Sequence, residues 1–316
     1  MKAANLSLAP SAVRTKRAVT NAEALIGRTP NLRAPSASVL KLLNLLKNPD
    51  ADYDEVVSAV GHDAVLTAKL LALCNSPAYG LAKPMASLNQ AVQYLGFCDT
   101  LRMVMALSFG SQVGVDLPGY SMEAGSLWKH SLVAAHLAPH VLGLSSIVVS
   151  DPSIAYTAGL VHDIGKVVIG QSLDAARHRE LSRLLETENA SWIDAETEVL
   201  GCNHAEVGAC LLRQWNIPEV IVEAVANHHD PSLENGPQLS AILHVVDASA
   251  HSIGASPGGF GFAVVVREAV LEALRLSAPD LQKLTLAAFE AVEEIASREC
   301  PKREPVTAAG NVSLSF

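Results

Sequence analysis

Three things are scarce in this chain of 316 residues: aromatic side chains (4%), charged side chains (17%) and paired cysteines. With so few Phe, Tyr and Trp, and with Ala, Leu and Val dominant in the apolar half, a sandwich or barrel is disfavoured and helices packed on helices are expected. There is no long basic run and the formal net charge is −9, so no broad nucleic-acid surface is expected. The cysteines (Cys74, Cys98, Cys202, Cys210, Cys300) are odd in number and form no C-x-x-C pair. That argues against a disulfide or zinc framework and for small core residues in a reducing cytosol. The N-terminus is basic but has no apolar h-region, so no signal peptide is expected. The most apolar stretch, Leu132 to Val149, carries His136, Pro139 and His140, and reads as a buried helix and its end, not a membrane span. A soluble, cytoplasmic protein with no membrane association follows.

What is present is helical period. Residues 1–27 lack it and read as a mobile tail. From Ser38 onward Val39, Leu42, Leu43 and Leu46 mark one buried helix face. Asp52 with Glu55, and Ser87 with Gln90, have the spacing of helix starts, Gly96 that of a stop, and Asp99 that of the next cap. Asn75-Ser76-Pro77 must end the helix before it. The turn-rich segment 114–126 is the best internal boundary. A second helical block from about 123 to 252 carries most of the histidines, "GASPGGFG" (254–261) reads as a linker, and two amphipathic helices are expected at about 262–276 and 280–298.

In that second block, titratable residues fall on apolar stripes. His130 lies with Leu127, Ala134 and Leu137, His228 with Ile221, Ala224 and Val225, and Asp247 with Leu243, Val246 and Ala250. Residues three and four apart share a helix face, so these groups point at the core, where an ionised carboxylate needs a cation. His162-Asp163 and Lys166 interrupt a similarly apolar run, "GLVHDIGKVVIG". His204 follows Asn203, with Glu206 beyond, and belongs in the first turn of a helix. His228 and His229, as neighbours on a helix, diverge by about a hundred degrees and would serve two ions or bracket a site. A donor set of nitrogen and carboxylate oxygen without thiolate suits iron or manganese better than structural zinc. His136, His140, His178 and His251 read as ordinary structural histidines, and His244 leans the same way.

The motifs "LWKHS", "GLVHDIGK", "NHAEVGACLL", "NHHDP" and "HVVDA", in that order, resemble the HD superfamily of metal-dependent phosphohydrolases. The upstream "GHDAVLTAKLLALCNSPAYG" and "LNQAVQYLGF" resemble the HDOD family of bacterial signalling domains. The resemblance implies an all-α fold spanning 28–252, with a helical N-terminal lobe (28–122) packed on an HD-like core (123–252), followed by C-terminal helices (253–298) and a tail (299–316). It puts His130, His162, Asp163 and Asp247 on a first divalent metal. By analogy with HD-GYP phosphodiesterases, which cleave cyclic di-GMP, it puts His204, His228 and His229 on a second, with Asp163 bridging the two and Lys166 facing a substrate phosphate at the rim of an open cleft. No "GYP" follows "HHDP", and Ser126 stands where some HD-GYP members carry a further carboxylate. The expected function is a signalling module that passes its state to a partner protein; the alternative is an active phosphohydrolase on a nucleotide or cyclic dinucleotide.

Overall fold

The computed structural model describes residues 21–29, 31–45, 53–81, 83–120, 122–145, 150–187, 191–236, 238–253 and 266–299. Among these residues the chain is all-helical, and the one extended pairing is an isolated antiparallel bridge between Leu117 and Met122.

The N-terminal lobe consists of α1 (Ala37–Leu45), α2 (Tyr53–Gly61), α3 (Ala64–Cys74) and the long α4 (Leu88–Val113). Residues 21–26 are helical too, with Ala22 and Leu25 buried and Asn21 donating to the Leu200 carbonyl at 2.9 Å. The last part of the expected tail is therefore packed structure, on an apolar stripe too short to register as periodic; residues 1–20 lie outside the described residues. Ser87 and Gln90 form the expected capping box at the start of α4. Gly96 takes φ +78, ψ 173, a non-helical conformation that favours glycine, and divides α4 into two helical stretches across a kink, as its reading as a stop expects. Beyond the break, Asp99 pairs with Arg102 at 3.1 Å.

The second block runs α5 (Ser126–Leu144), α6 (Pro152–Val161), α7 (Ile164–Ser172), α8 (Ala175–Thr187), α9 (Trp192–Leu200), α10 (His204–Gln214), α11 (Glu219–Ala226) and α12 (Leu239–Ser252). Pro139 sits inside α5, which continues to Leu144. The turn-rich segment before α5 is packed, with Leu117, Tyr120 and Met122 buried in an apolar core that continues through both blocks. α13 (Glu268–Leu274) and α14 (Ala278–Glu299) follow; the proposed linker lies outside the described residues. No single helix among the described residues is long and apolar enough to cross a membrane.

Two glycine crossings position the site. α6 packs against α5 so closely that a Cβ on Gly159 would lie 2.8 Å from the Ala134 carbonyl oxygen. This brings His130, one turn before Ala134, beside His162. α7 crosses α10 closer still, since a Cβ on Gly165 would overlap the His204 carbonyl oxygen. Only glycine at 165 lets Asp163 and His204 meet.

Candidate metal centre

α6 stops at Val161 and α7 starts at Ile164, leaving His162 and Asp163 in the break between them. Both side chains turn into the core, where they meet residues from four other elements. His130 (α5), His162, Asp163 and Asp247 (α12) each offer a donor atom within 4.8 Å of the others'. Asp163, His204 (start of α10), His228 and His229 (after α11) form a second group by the same measure. All seven ligand candidates read from the sequence are thus brought together, in two groups that share Asp163.

The carboxylate of Asp163 faces each group with a different oxygen. Oδ2 lies 3.4 Å from His130 Nε2 and 3.4 Å from His162 Nε2, and Oδ1 lies 3.3 Å from His204 Nε2 and 3.9 Å from His228 Nε2. Asp247 Oδ1 closes the first group, 3.2 Å from His130 Nε2 and 3.5 Å from His162 Nε2. Ligand atoms about 2.1 Å from one ion and at right angles to each other stand about 3 Å apart, so each group is of a size that could hold an ion.

The hydrogen bonds behind the rings set which nitrogen faces inward. His162 Nδ1 donates to the Gly159 carbonyl at 2.8 Å, and His228 Nδ1 to the Val225 carbonyl at 2.7 Å. His204 Nδ1 donates to the Glu196 carboxylate at 2.8 Å. A carbonyl or carboxylate oxygen accepts only, so in a neutral ring the proton is at Nδ1 and the Nε2 lone pair points into the cluster. His244, of which the sequence says little, steadies this arrangement from behind: Nδ1 donates to the His228 carbonyl at 2.9 Å and Nε2 accepts from the Arg267 amide at 3.2 Å.

A cation fits. Asp163 Oδ1, Asp247 Oδ1 and His228 Nε2 are buried acceptors that make no hydrogen bond, an arrangement that is costly unless an ion satisfies them. Burial and the neighbouring imidazoles hold the His228 pKa down to about 3, and His229 is likewise held well below the usual histidine value. Burial also lowers His130. For His162, burial is outweighed by the Asp163 and Asp247 carboxylates, and the pKa rises. Burial works against ionisation of both aspartates, yet Lys166 and the imidazoles around Asp163, and His251 with its neighbours around Asp247, hold both carboxyls well below their ordinary range.

Three expectations need correction. Lys166 is not at the rim of a cleft: it is 4% exposed, and its Nζ lies 2.6 Å from Asp163 Oδ2. α7 starts one residue after Asp163, so three residues of helix carry the ammonium back over its carboxylate. His228 and His229 do not diverge around a helix, because α11 ends at Ala226 with Asn227 as its cap. Past that end the chain turns both rings to the same group, with centroids 4.0 Å apart. His251 is not a bystander: its Nε2 lies 3.2 Å from Asp247 Oδ1, one helical turn away.

Sequence reasoning missed Glu196. It is fully buried, accepts from both the amide and the ring of His204, and receives the Tyr120 hydroxyl at 2.7 Å. A buried carboxylate behind a ligand histidine is the usual device for orienting such a ring.

The HDOD domain family model matches residues 32–231. The chain is 28% identical over 199 residues to an uncharacterised protein of Treponema pallidum, covering 61% of this chain and 37% of that one. It is 34% identical over 173 residues to ribonuclease Y of Thermus thermophilus, covering 53% and 23%. It therefore spans well under half the length of these curated relatives. The crystal structure of an HDOD domain protein of unknown function from Geobacter sulfurreducens superposes with a TM-score of 0.66 at 25% identity, covering 90% of this chain and 96% of that one.

Proposed function

From the premise that this chain belongs to the HDOD domain family, we propose that it is a signalling module whose state is set by divalent metal at the shared carboxylate of Asp163 and is passed to a partner protein. His130, His162, Asp163 and Asp247 would hold one ion, and Asp163, His204, His228 and His229 a second. The donor set of imidazole and carboxylate favours iron or manganese.

The observation that carries this reading is burial. His130, His162, Asp163, His204, His228 and Asp247 are each 2% exposed or less, and His229 alone of the seven is partly exposed. Bound metal would supply further positive charge to these buried acceptors and so lock α5, α7, α10 and α12 to one another. A buried centre of this kind suits holding a state better than admitting and releasing substrate.

A second reading, a phosphohydrolase acting on a nucleotide or cyclic dinucleotide, is favoured by the position of Asp163 between the two groups and by likeness to a ribonuclease. Two ions bridged by one carboxylate polarise a phosphodiester in many hydrolases. In this reading Asp163 and Lys166 stand nearest the reacting phosphate, and Lys166 must first leave Asp163.

The test is metal analysis of protein purified without chelator, followed by assays with Mn²⁺ and Fe²⁺ on cyclic dinucleotides, short RNA and a chromogenic phosphodiester. Bound metal without turnover supports the module. Metal-dependent hydrolysis abolished by Asp163→Ala would replace it with the enzyme. Protein that neither carries nor takes up these ions would end both readings.

A further inference from the structure

On the face of α5 away from His130, a cavity of about 580 Å³ opens between the two lobes, within the size range of small-molecule sites. Trp128, Leu132, His136 and His140 line it at successive turns of α5. Tyr156 of α6 contributes to one wall; Tyr79, Arg102 and Met103 of the N-terminal lobe contribute to another. The Tyr79 hydroxyl contacts Met103 Sδ at 3.7 Å, and His136 packs edge-on to the Tyr156 ring at 5.6 Å between centroids.

Arg102 is the cation of this cavity. Its guanidinium carbon lies 5.5 Å from the centre of the Tyr156 ring, over its face, which fixes the group. One terminal nitrogen pairs with the exposed Asp99 carboxylate at 3.1 Å. The Nε atom, by contrast, is buried and makes no hydrogen bond. Nε itself is closed off, but the side chain is 35% exposed, so the terminal nitrogens of this always-charged group, beside three aromatic rings, are open to an acceptor from the cavity.

We propose that this interlobe cavity binds a small planar aromatic molecule carrying an anionic group, the ring against Trp128 and Tyr156 and the anion on Arg102. The ring satisfies the aromatic walls, and the anion is the acceptor that best matches a guanidinium N–H. The proposal rests on none of the residues of the metal centre. It holds whether or not that centre is a metal site.

The test is calorimetric titration of the full chain with 1-naphthoate, 1-naphthyl phosphate and the neutral 1-naphthalenemethanol. Saturable binding of one anion per chain is expected, tighter than the alcohol, and the stronger of the two anions tells carboxylate from phosphate. Arg102→Gln should weaken the anions by about tenfold or more and leave the alcohol unchanged. Ala106→Trp, which places an indole from α4 into the cavity, should remove all three, with circular dichroism confirming that both variants stay folded. No saturable binding, equal binding of alcohol and anions, or anion binding indifferent to either variant would overturn the proposal.

Discussion

The ammonium of Lys166 lies 2.6 Å from Oδ2 of Asp163, inside the ring of histidines and not outside it. It faces the same oxygen that His130 and His162 approach at 3.4 Å. Lys166 and a bound ion would therefore compete for one carboxylate. Burial lowers the Lys166 pKa, but Asp163 and Asp247 more than reverse this, and the group is charged. In metal-free protein it neutralises part of a site that otherwise holds two buried aspartates.

Lys166→Met should accordingly cost metal-free protein about 3–5 kcal/mol, the usual penalty for stranding one member of a buried pair. Added Mn²⁺ should raise the melting temperature of this variant more than that of the wild type, because the ion takes over the missing charge. Thermal melts with chelator and with Mn²⁺ provide the measurement. Equal metal-induced shifts in the two proteins would mean that Lys166 and the ion do not share a place.

Glu196 should govern metal affinity without being a ligand. Glu196→Gln keeps the shape but removes the charge that holds the proton on His204 Nδ1, and Tyr120 would lose its charged acceptor. Loss of such an orienting partner typically costs 10–100-fold in metal affinity. Competition against a chromogenic chelator reads this directly. If affinity is unchanged while the helical signal is retained, His204 is not oriented for a metal.

Gly165→Ala should unfold the core locally or globally, since the added methyl meets the His204 carbonyl and the Gly208 amide at 2.7 Å or closer, and neither backbone group can rotate aside. Overpacking of this kind costs about 1–3 kcal/mol and more where backbone must move. Gly143→Ala on α5, where a Cβ meets nothing within 4 Å, is the control and should be neutral or slightly stabilising. Urea midpoints of the two variants give the comparison.

The parts of this molecule legible in sequence are those where one residue breaks a local pattern. His130 and Asp247 sit in apolar stripes, and no helix buries them without a reason; that is local information, and both lie in the cluster. Asn203 and Glu206 form the expected capping box and set His204 at the helix start. What depends on distant packing was not legible. Glu196 stands in the acidic run "DAETE" and looks solvent-facing until Tyr120, 76 residues away, is packed against it. The pairing of His228 with His229 depends on α11 stopping one residue before Asn227, and helix ends are the least determined feature of a periodic pattern. The direction of Lys166 depends on the break at His162-Asp163, which the apolar run conceals.

The buried imidazoles also set a pH dependence. In metal-free protein His228 is held to about 3, against an ordinary value of 6.5, and His229 is held well below 6.5 as well. As pH falls through 6.5 the unfolded chain takes up protons at these residues and the folded chain does not, so the unfolded state binds more protons and stability falls with acid. For His228 that loss runs from about 6.5 down to about 3, at about 1.4 kcal/mol per pH unit for one proton. His162, whose pKa is raised, acts in the opposite sense: its contribution is present in acid and is lost as pH rises through its folded value. The groups lowered by burial outnumber it. Urea unfolding in chelator at pH 6.5, 5.5 and 4.5 should therefore show stability dropping at each step. His228→Gln, which cannot titrate, should flatten the slope by about one proton. A slope that does not change on this substitution would mean that His228 is protonated or solvated in the folded protein, and that its Nε2 is not held as a free lone pair for a metal.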